Sequence, residues 1–293
     1  MAANTKKEIQ VYAHWLGLQE PSLMGILSVT PSKGKETFSF EYEEEWLQSG
    51  FSQLIDPDLQ LYSGAYYPRD DKPNFGVFLD SCPDRWGRVL MQRREVAIAK
   101  QEGRAAKKLL ESDFLLGVYD GHRMGALRFK AENDGPFLND NKSMAAPPWT
   151  SLRELAHASL KFEEDNTDDP EYLKWVDLLI APGSSLGGAR PKASVMDEHT
   201  NLWIAKFPSR NDDKDIAAWE MVTNQLAISA GINVAQGRLL QFNNRYHTYL
   251  TKRFDRTIAG ERIHFASAMT LLGHMDGEDA FGASYLELME FIS

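Results

Sequence analysis

Apolar side chains recur at every second position in residues 9–13 and again in residues 37–42, with an apolar run over 23–29 between them. Because successive side chains of a strand point to opposite faces, this period of two predicts β-structure over residues 8–45. Residues 123–130 predict a further strand. The first part of the chain is therefore expected to contain a sheet.

Helices are predicted where apolar residues recur three or four positions apart. One begins near Pro83, a residue that suits the first helical turn, and ends near Gly103. Another begins at Ser151, which has with Glu154 the spacing of a capping box, and a third begins at Asp215, a residue type that favours the N-cap. Helices and strands together predict an α+β fold.

A glycine-rich segment, residues 181–192, is the strongest candidate for chemistry. It reads Ala-Pro-Gly-Ser-Ser-Leu-Gly-Gly-Ala-Arg-Pro-Lys and leads into two predicted strands, 192–196 and 202–207. Glycine takes positive φ without steric cost, so backbone N–H groups of such a loop can approach an anion, here a phosphate. The segment is neither a Walker A loop nor G-x-G-x-x-G. Its place before a strand pair is that of a kinase glycine-rich loop, and a plain surface turn is the alternative.

Lys206 gives further support to the hypothesis that the glycine-rich segment binds a phosphate. It shares an apolar strand face, where a lysine is unexpected unless it reaches an anion. Kinases use a strand lysine on the phosphates and a helix carboxylate that positions it, and Glu220 follows in the next predicted helix. Each residue alone would be interpreted as a solvated side chain; their order favours the kinase arrangement.

Residues 249–256 would then form the hinge that binds adenine through its backbone, with an acidic side chain near the ribose. Asp255 is the acidic residue in this segment, and it lies between two arginines. A salt bridge from Asp255 to Arg253 or Arg256 is the alternative, and spacing alone favours it.

Composition and charge argue against several classes of protein and several kinds of site. The net charge of −10 argues against the whole chain acting as a nucleic-acid clamp. Cys82 is the only cysteine, so neither an internal disulfide nor a cysteine-rich metal site is expected. The first residues have no apolar stretch typical of a signal peptide, and no run of about eighteen apolar residues occurs. A cytoplasmic location is the expectation.

Two segments near the end of the chain match kinase motifs only in part. Residues 274–276 begin like the catalytic loop H-x-D-x-x-x-x-N, but Phe281 stands where asparagine is required. Residues 279–282 loosely resemble D-F-G, but they leave no room for a strand pair after Asp276. Both are predicted to be polar loop. H-E-x-x-H does not occur, so the sequence offers no metalloprotease site of that type.

Taken together, the motifs resemble HipA-type serine/threonine kinases, the toxin components of bacterial type II toxin–antitoxin systems. The resemblance extends over nearly the whole chain. It rests on Ser-Cys-Pro-Asp-Arg-Trp-Gly-Arg (81–88), Gly-Ala-Leu-Arg-Phe (125–129), the loop 184–193, Ala-Lys-Phe-Pro-Ser (205–209), Trp219-Glu220, Lys-Arg-Phe-Asp-Arg (252–256) and Ser284-Tyr285.

The resemblance implies a mixed N-terminal subdomain followed by a kinase-like N-lobe, made of an antiparallel sheet and helices. Residues 131–150 have the composition of a linker between them. The implied segments are a subdomain over 8–130, the linker 131–150, the N-lobe over 151–257, and the start of a helical C-lobe over 258–293.

The resemblance also implies a nucleotide site. Lys206 would contact the ATP phosphates and Glu220 would position it. Gly187 and Gly188 would lie over the phosphates, and Ser185, with Ser184 as a neighbouring candidate, would be autophosphorylated. The full set of residues implied at the nucleotide is Ser185, Gly187, Gly188, Lys206, the backbone of Lys252 and Phe254 at adenine, and Asp255 at the ribose.

Partners follow from the same resemblance. HipA-type kinases use ATP and Mg²⁺, phosphorylate translation components such as aminoacyl-tRNA synthetases, and bind a helix-turn-helix antitoxin that contacts operator DNA. No membrane partner is expected.

The chain departs from this family at its end. The family's catalytic Asp, its partner Asn and its metal-binding Asp lie after the helix that begins at Ser284, and the sequence ends at Ser293. The helical C-lobe and the Mg²⁺ ligands are therefore expected to be missing, and the chain alone is expected to be inactive. The alternative is a non-catalytic module that binds nucleotide or a partner. The lobe face left uncovered would be apolar and would favour self-association.

Overall fold

A computed structural model describes residues 6–32, 34–69, 72–164, 169–180, 188–242, 245–275 and 283–293. In these residues the fold is α+β, as predicted, and it contains two antiparallel sheets. The strands are β1 (Lys7–Ala13), β2 (Ser22–Ser32), β3 (Lys35–Tyr42), β4 (Ala65–Tyr66), β5 (Leu127–Lys130), β6 (Lys192–Met196), β7 (Leu202–Lys206), β8 (Gly237–Leu240) and β9 (Thr248–Lys252). The helices are α1 (Glu44–Gln48), α2 (Gly76–Asp80), α3 (Arg85–Gln101), α4 (Glu111–Gly117), α5 (Leu152–Glu163), α6 (Tyr172–Ile180), α7 (Ile216–Ser229), α8 (Ala268–Leu271) and α9 (Tyr285–Ile292).

The chain divides into two compact units, each built from separated stretches. The first contains Met1–Cys82, Leu110–Asp140 and Arg262–Ser293, and the second contains Pro83–Leu109 and Asn141–Glu261. Thus α3 belongs to the second unit, and the last stretch of the chain belongs to the first. The functional segments implied by the resemblance follow other boundaries and stay a prediction.

The first unit is organised around the sheet β4-β3-β2-β1-β5. The inward side chains of alternate strand positions and the aromatic residues of α2 form its core. Gly25 on β2 is required by this packing, because a Cβ there would lie 2.3 Å from the carbonyl oxygen of Glu41. The largest fully buried core residues of this unit are Trp46, Phe38, Phe40, Phe75, Phe78 and Phe129.

The stretch after Arg262 is tied to the first unit by polar contacts. The Arg262 guanidinium donates to the backbone oxygen of Asp120 at 2.6 Å, and its own carbonyl accepts from the amide of Leu16 at 2.9 Å. The amide of Ser267 donates to the Asp80 carboxylate at 2.7 Å. These bonds fix the backbone that leads into α8.

The second unit carries the sheet β6-β7-β9-β8. Ala193 on β6 lies opposite Ala205 on β7, and both are buried on the face that packs with apolar residues of α3, α5 and α6. Lys192 lies opposite Lys206 in the same ladder. Because residues directly opposite in an antiparallel pair project to the same face, these two lysines share the other face of the sheet.

Two predicted helix starts need correction. Ser151 has helical backbone angles and makes no side-chain capping bond, because a 3₁₀ turn, Trp149–Ser151, runs directly into α5. The N-cap of α3 is Asp84, whose extended backbone lets its carboxylate accept from the amide of Gly87 at 2.7 Å. Pro83 therefore precedes the helix rather than occupying its first turn.

Helix α7 begins as predicted, with the Asp215 carboxylate accepting from the amide of Ala218 at 3.0 Å. Its apolar side chains are largely exposed: 61% for Trp219 and 65% for Leu226. Helical spacing therefore located the helix, but the apolar stripe does not face a core in this unit. In the part of the chain that the structure describes, no helix has the length and apolar character needed to cross a membrane.

Candidate functional site

Lys206 and Glu220 meet at the end of β7. The Lys206 ammonium donates to a carboxylate oxygen of Glu220 on α7 at 2.5 Å, and it lies 5.7 Å from the centre of the Tyr249 ring. About one third of each charged side chain is exposed, 33% and 35% respectively. The strand lysine and the helix carboxylate are thus brought together as their order in the sequence indicated; their contact with a nucleotide stays a prediction.

A small pocket lies beside this pair. The pocket is lined by Arg190, Lys206, Phe207, Pro208, Asp212, Ile216, Ala217, Glu220, Tyr246 and His247.

Each cationic side chain of the pocket has its own carboxylate. Both terminal nitrogens of Arg190 donate to Asp212, at 2.8 and 2.5 Å. Burial raises the pKa of Asp212, but the bonds from Arg190 and from the amide of Ser209 outweigh it, so the pKa lies below its usual value. The ring Nδ1 of His247 lies 2.5 Å from the Asp215 carboxylate. The pocket therefore offers N–H donors without a large excess of charge.

The described end of the glycine-rich segment is fixed by Lys192. Gly188 has φ of +88°, a conformation that favours glycine, and its carbonyl accepts from the Lys192 ammonium at 2.9 Å. Ser184, Ser185 and Gly187 lie outside the described residues, so their implied roles stay predictions.

Sequence reasoning missed the second partner of Lys192. Its ammonium also donates to the Asp84 carboxylate at 2.7 Å, and the indole N–H of Trp86 donates to the Lys192 carbonyl at 3.1 Å. Asp84 and Trp86 of the motif at 81–88 therefore contact Lys192 of the glycine-rich motif, and all three residues belong to the second unit. Both motifs were visible in the sequence, but Asp84 and Lys192 are 108 positions apart, and one sequence gives no signal that pairs them.

Asp255 forms the ion pair that its spacing favoured. Its buried carboxylate accepts from Arg253 at 2.8 and 2.5 Å and from Arg256 at 2.7 Å. A ribose contact at Asp255 would require this pair to open, and it stays a prediction.

The other hinge positions differ in what their backbone can offer. The amide of Lys252 donates to the carbonyl of Gln236 at 2.9 Å, so an adenine contact at Lys252 would have to use its carbonyl oxygen. The side chain of Phe254 is exposed, at 61%. The implied adenine contacts at these two residues are not tested by this geometry.

His274 begins the segment that resembles a catalytic loop, and in the structure it lies next to a carboxylate. The ring Nε2 of His274 lies 2.9 Å from both carboxylate oxygens of Glu287 on α9. Asp276 and residues 279–282 lie outside the described residues. Elsewhere in the described chain, no three His, Cys, Asp or Glu side chains are grouped so that they could hold a metal ion.

Residues 184–293 match the model of the HipA-like C-terminal domain. No curated protein matches the chain. The matched segment covers less than half of the chain but includes Lys206, Glu220 and residues 249–256. Residues 184–293 are therefore similar to the HipA-like C-terminal domain.

Proposed function

We propose that the chain binds ATP at the pocket beside Lys206, as the nucleotide-binding part of a HipA-like serine/threonine kinase. The observation that carries this proposal is the Lys206–Glu220 pair. An ammonium group has three N–H donors, and the bond to Glu220 uses one of them. Lys206 can therefore hold Glu220 and phosphate oxygens at the same time. The family match over residues 184–293 adds support.

The remaining site residues are proposed by resemblance. Gly187 and Gly188 lie over the phosphates, the backbone of Lys252 and Phe254 holds adenine, and Asp255 contacts the ribose once its pair with the arginines opens. Ser185, or its neighbour Ser184, accepts a phosphoryl group. Bound Mg-ATP supplies the phosphoryl group; this chain's residues bind and orient the nucleotide.

Transfer is proposed to need residues that these 293 positions do not supply. The sequence contains no complete H-x-D-x-x-x-x-N segment, which in kinases supplies the catalytic base and an Mg²⁺ ligand. We therefore expect the chain alone to bind nucleotide without phosphorylating a protein. The proposed substrate of the complete activity is a translation component such as an aminoacyl-tRNA synthetase, and the proposed partner is a helix-turn-helix antitoxin.

Calorimetric titration of Mg-ATP tests the proposal. We expect saturable binding, weakened about tenfold or more in Lys206→Met, because charge-assisted hydrogen bonds contribute roughly 1.5–3 kcal/mol. Lys174→Met is the matched control, since the exposed Lys174 pairs with Glu171 and lies over the Trp175 ring, away from the residues that line the pocket. Unchanged affinity in Lys206→Met would overturn the site assignment.

A second candidate function is a non-catalytic partner-binding module, and the exposed α7 favours it. Trp219, Val222 and Leu226 present an apolar surface of the kind that drives association. Sedimentation over a range of concentrations tests this: self-association that is reduced in Leu226→Asp supports it, and a monomer at all concentrations contradicts the self-association. Absence of Mg-ATP binding to the wild-type chain would favour this module over the kinase proposal.

A further inference from the structure

Asp84 and Lys192 form a buried ion pair where the glycine-rich segment enters β6. Only 5% of the Asp84 side chain and 3% of the Lys192 side chain are exposed. The carboxylate also caps α3 through the amide of Gly87, and the ammonium also donates to the carbonyl of Gly188. One pair of charges therefore joins the start of a helix to the end of a loop.

The position of Lys192 in the sheet makes this pairing necessary. Lys192 lies directly opposite Lys206 in the β6–β7 ladder, and like charges at opposed positions destabilise a sheet. Asp84 compensates Lys192, and Glu220 compensates Lys206. Because Lys192 is sealed from solvent and already holds two oxygen acceptors, it is poorly placed to contact a ligand directly.

The packing of the surrounding side chains does not by itself require charged residues at Asp84 and Lys192. Apolar residues of similar volume often replace a buried ion pair without loss of stability. They could not hold the carbonyl of Gly188, whose positive φ turns the backbone next to Arg190 and the pocket. The feature that requires a lysine here is the anchored carbonyl.

We propose that Asp84 and Lys192 are positioning residues that anchor Gly188, so that the end of the glycine-rich segment is preorganised for the phosphate groups of a nucleotide bound beside Lys206. This inference rests on the proposed function for its ligand, but the anchoring itself can be measured without any nucleotide. Lys192 acts through Gly188 and does not touch the phosphates.

The first experiment measures anchoring in the full chain by ¹⁵N relaxation at Gly188 and Ala189. In the wild type we expect order parameters near the rigid value of about 0.85, and in Lys192→Met values below about 0.6. Asp84→Asn should give the same loss, although asparagine still caps α3 and so keeps the helix start intact. Lys174→Met is the control and should change nothing. Low order parameters in the wild type, or no change in Asp84→Asn, would overturn the proposal.

The second experiment measures Mg-ATP and adenosine affinity of the same proteins. Anchoring predicts that Lys192→Met and Asp84→Asn each lose about tenfold in Mg-ATP affinity, or about 1.4 kcal/mol, with adenosine affinity unchanged. Loss in Lys192→Met alone would mean direct phosphate contact and would overturn the positioning role. Equal loss for both ligands would point to a general structural effect and would overturn it too. If the wild type binds neither ligand, the proposed function fails, while the relaxation experiment still decides the anchoring.

Discussion

Lys192 and Lys206 lie opposite each other on neighbouring strands, but their surroundings differ. Lys192 is 3% exposed and bound to Asp84, whereas Lys206 is 33% exposed and bound to Glu220 at the mouth of a pocket. The same residue type therefore has two roles in one ladder. The buried Lys192 fixes the backbone at Gly188, and the partly exposed Lys206 is available to a ligand.

Burial explains the difference in chemical terms. It raises the pKa of the Asp84 carboxyl and lowers the pKa of the Lys192 ammonium, and the attraction between the two groups opposes both shifts. Neither charge can be left alone without a large cost, because no water replaces the lost partner. Around Lys206, water can solvate whichever charge is released, so the pair can rearrange when a ligand arrives.

The largest expected effect is the loss of one partner of the sealed pair. Lys192→Met should lower the free energy of unfolding of the second unit by about 3–5 kcal/mol, because Asp84 would remain buried and unpaired. Lys206→Met should cost at most about 1 kcal/mol, as for an exposed pair. Urea unfolding of the two variants measures both values. Equal losses would remove the distinction between the lysines.

A smaller effect is expected from the backbone that Lys192 anchors. Gly188→Ala should cost about 1–2 kcal/mol, since the left-handed conformation at φ of +88° is unfavourable for a residue with Cβ. Among the described residues, the added Cβ would meet the Lys192 side chain, with its ammonium nitrogen at 3.7 Å, which is an ordinary van der Waals distance. Gly50→Ala is the control, because Gly50 has no positive φ and open space around it. A neutral Gly188→Ala in thermal unfolding would show that this conformation is not maintained.

The smallest expected effect is on the pH dependence of the free energy of unfolding, and it comes from Asp212 in the pocket beside Lys206. The folded chain lowers the pKa of Asp212 through Arg190, although burial acts in the opposite direction. Its stabilising contribution is therefore complete above the ordinary pKa of about 3.9 and is lost as the pH falls through the lower folded value. Asp212→Asn should flatten the decline in unfolding free energy below about pH 4. The exposed Glu171→Gln is the control, and an unaltered slope in Asp212→Asn would contradict the assignment.

Part of the fold and of the candidate site could be predicted from the sequence. The rest could not, because it depends on packing between residues that are far apart in the chain. Alternation predicted β1 and β3, and the order of Lys206 and Glu220 predicted a pair now seen at 2.5 Å. Asp255 and its arginines are sequence neighbours, so spacing was informative there. Asp84 and Lys192 meet only through the packing of α3 on the sheet, which no local pattern encodes. Helical periodicity likewise found α7 without revealing that Trp219 would be exposed.

Lysine labelling with an amine-reactive reagent, followed by mass spectrometry with and without Mg-ATP, tests the contrast most directly. The open amine of Lys206 should be modified in the free chain and protected by Mg-ATP, while the sealed amine of Lys192 should remain unmodified in both samples. Equal labelling of Lys206 with and without Mg-ATP, or labelling of Lys192 as fast as Lys206, would contradict the account.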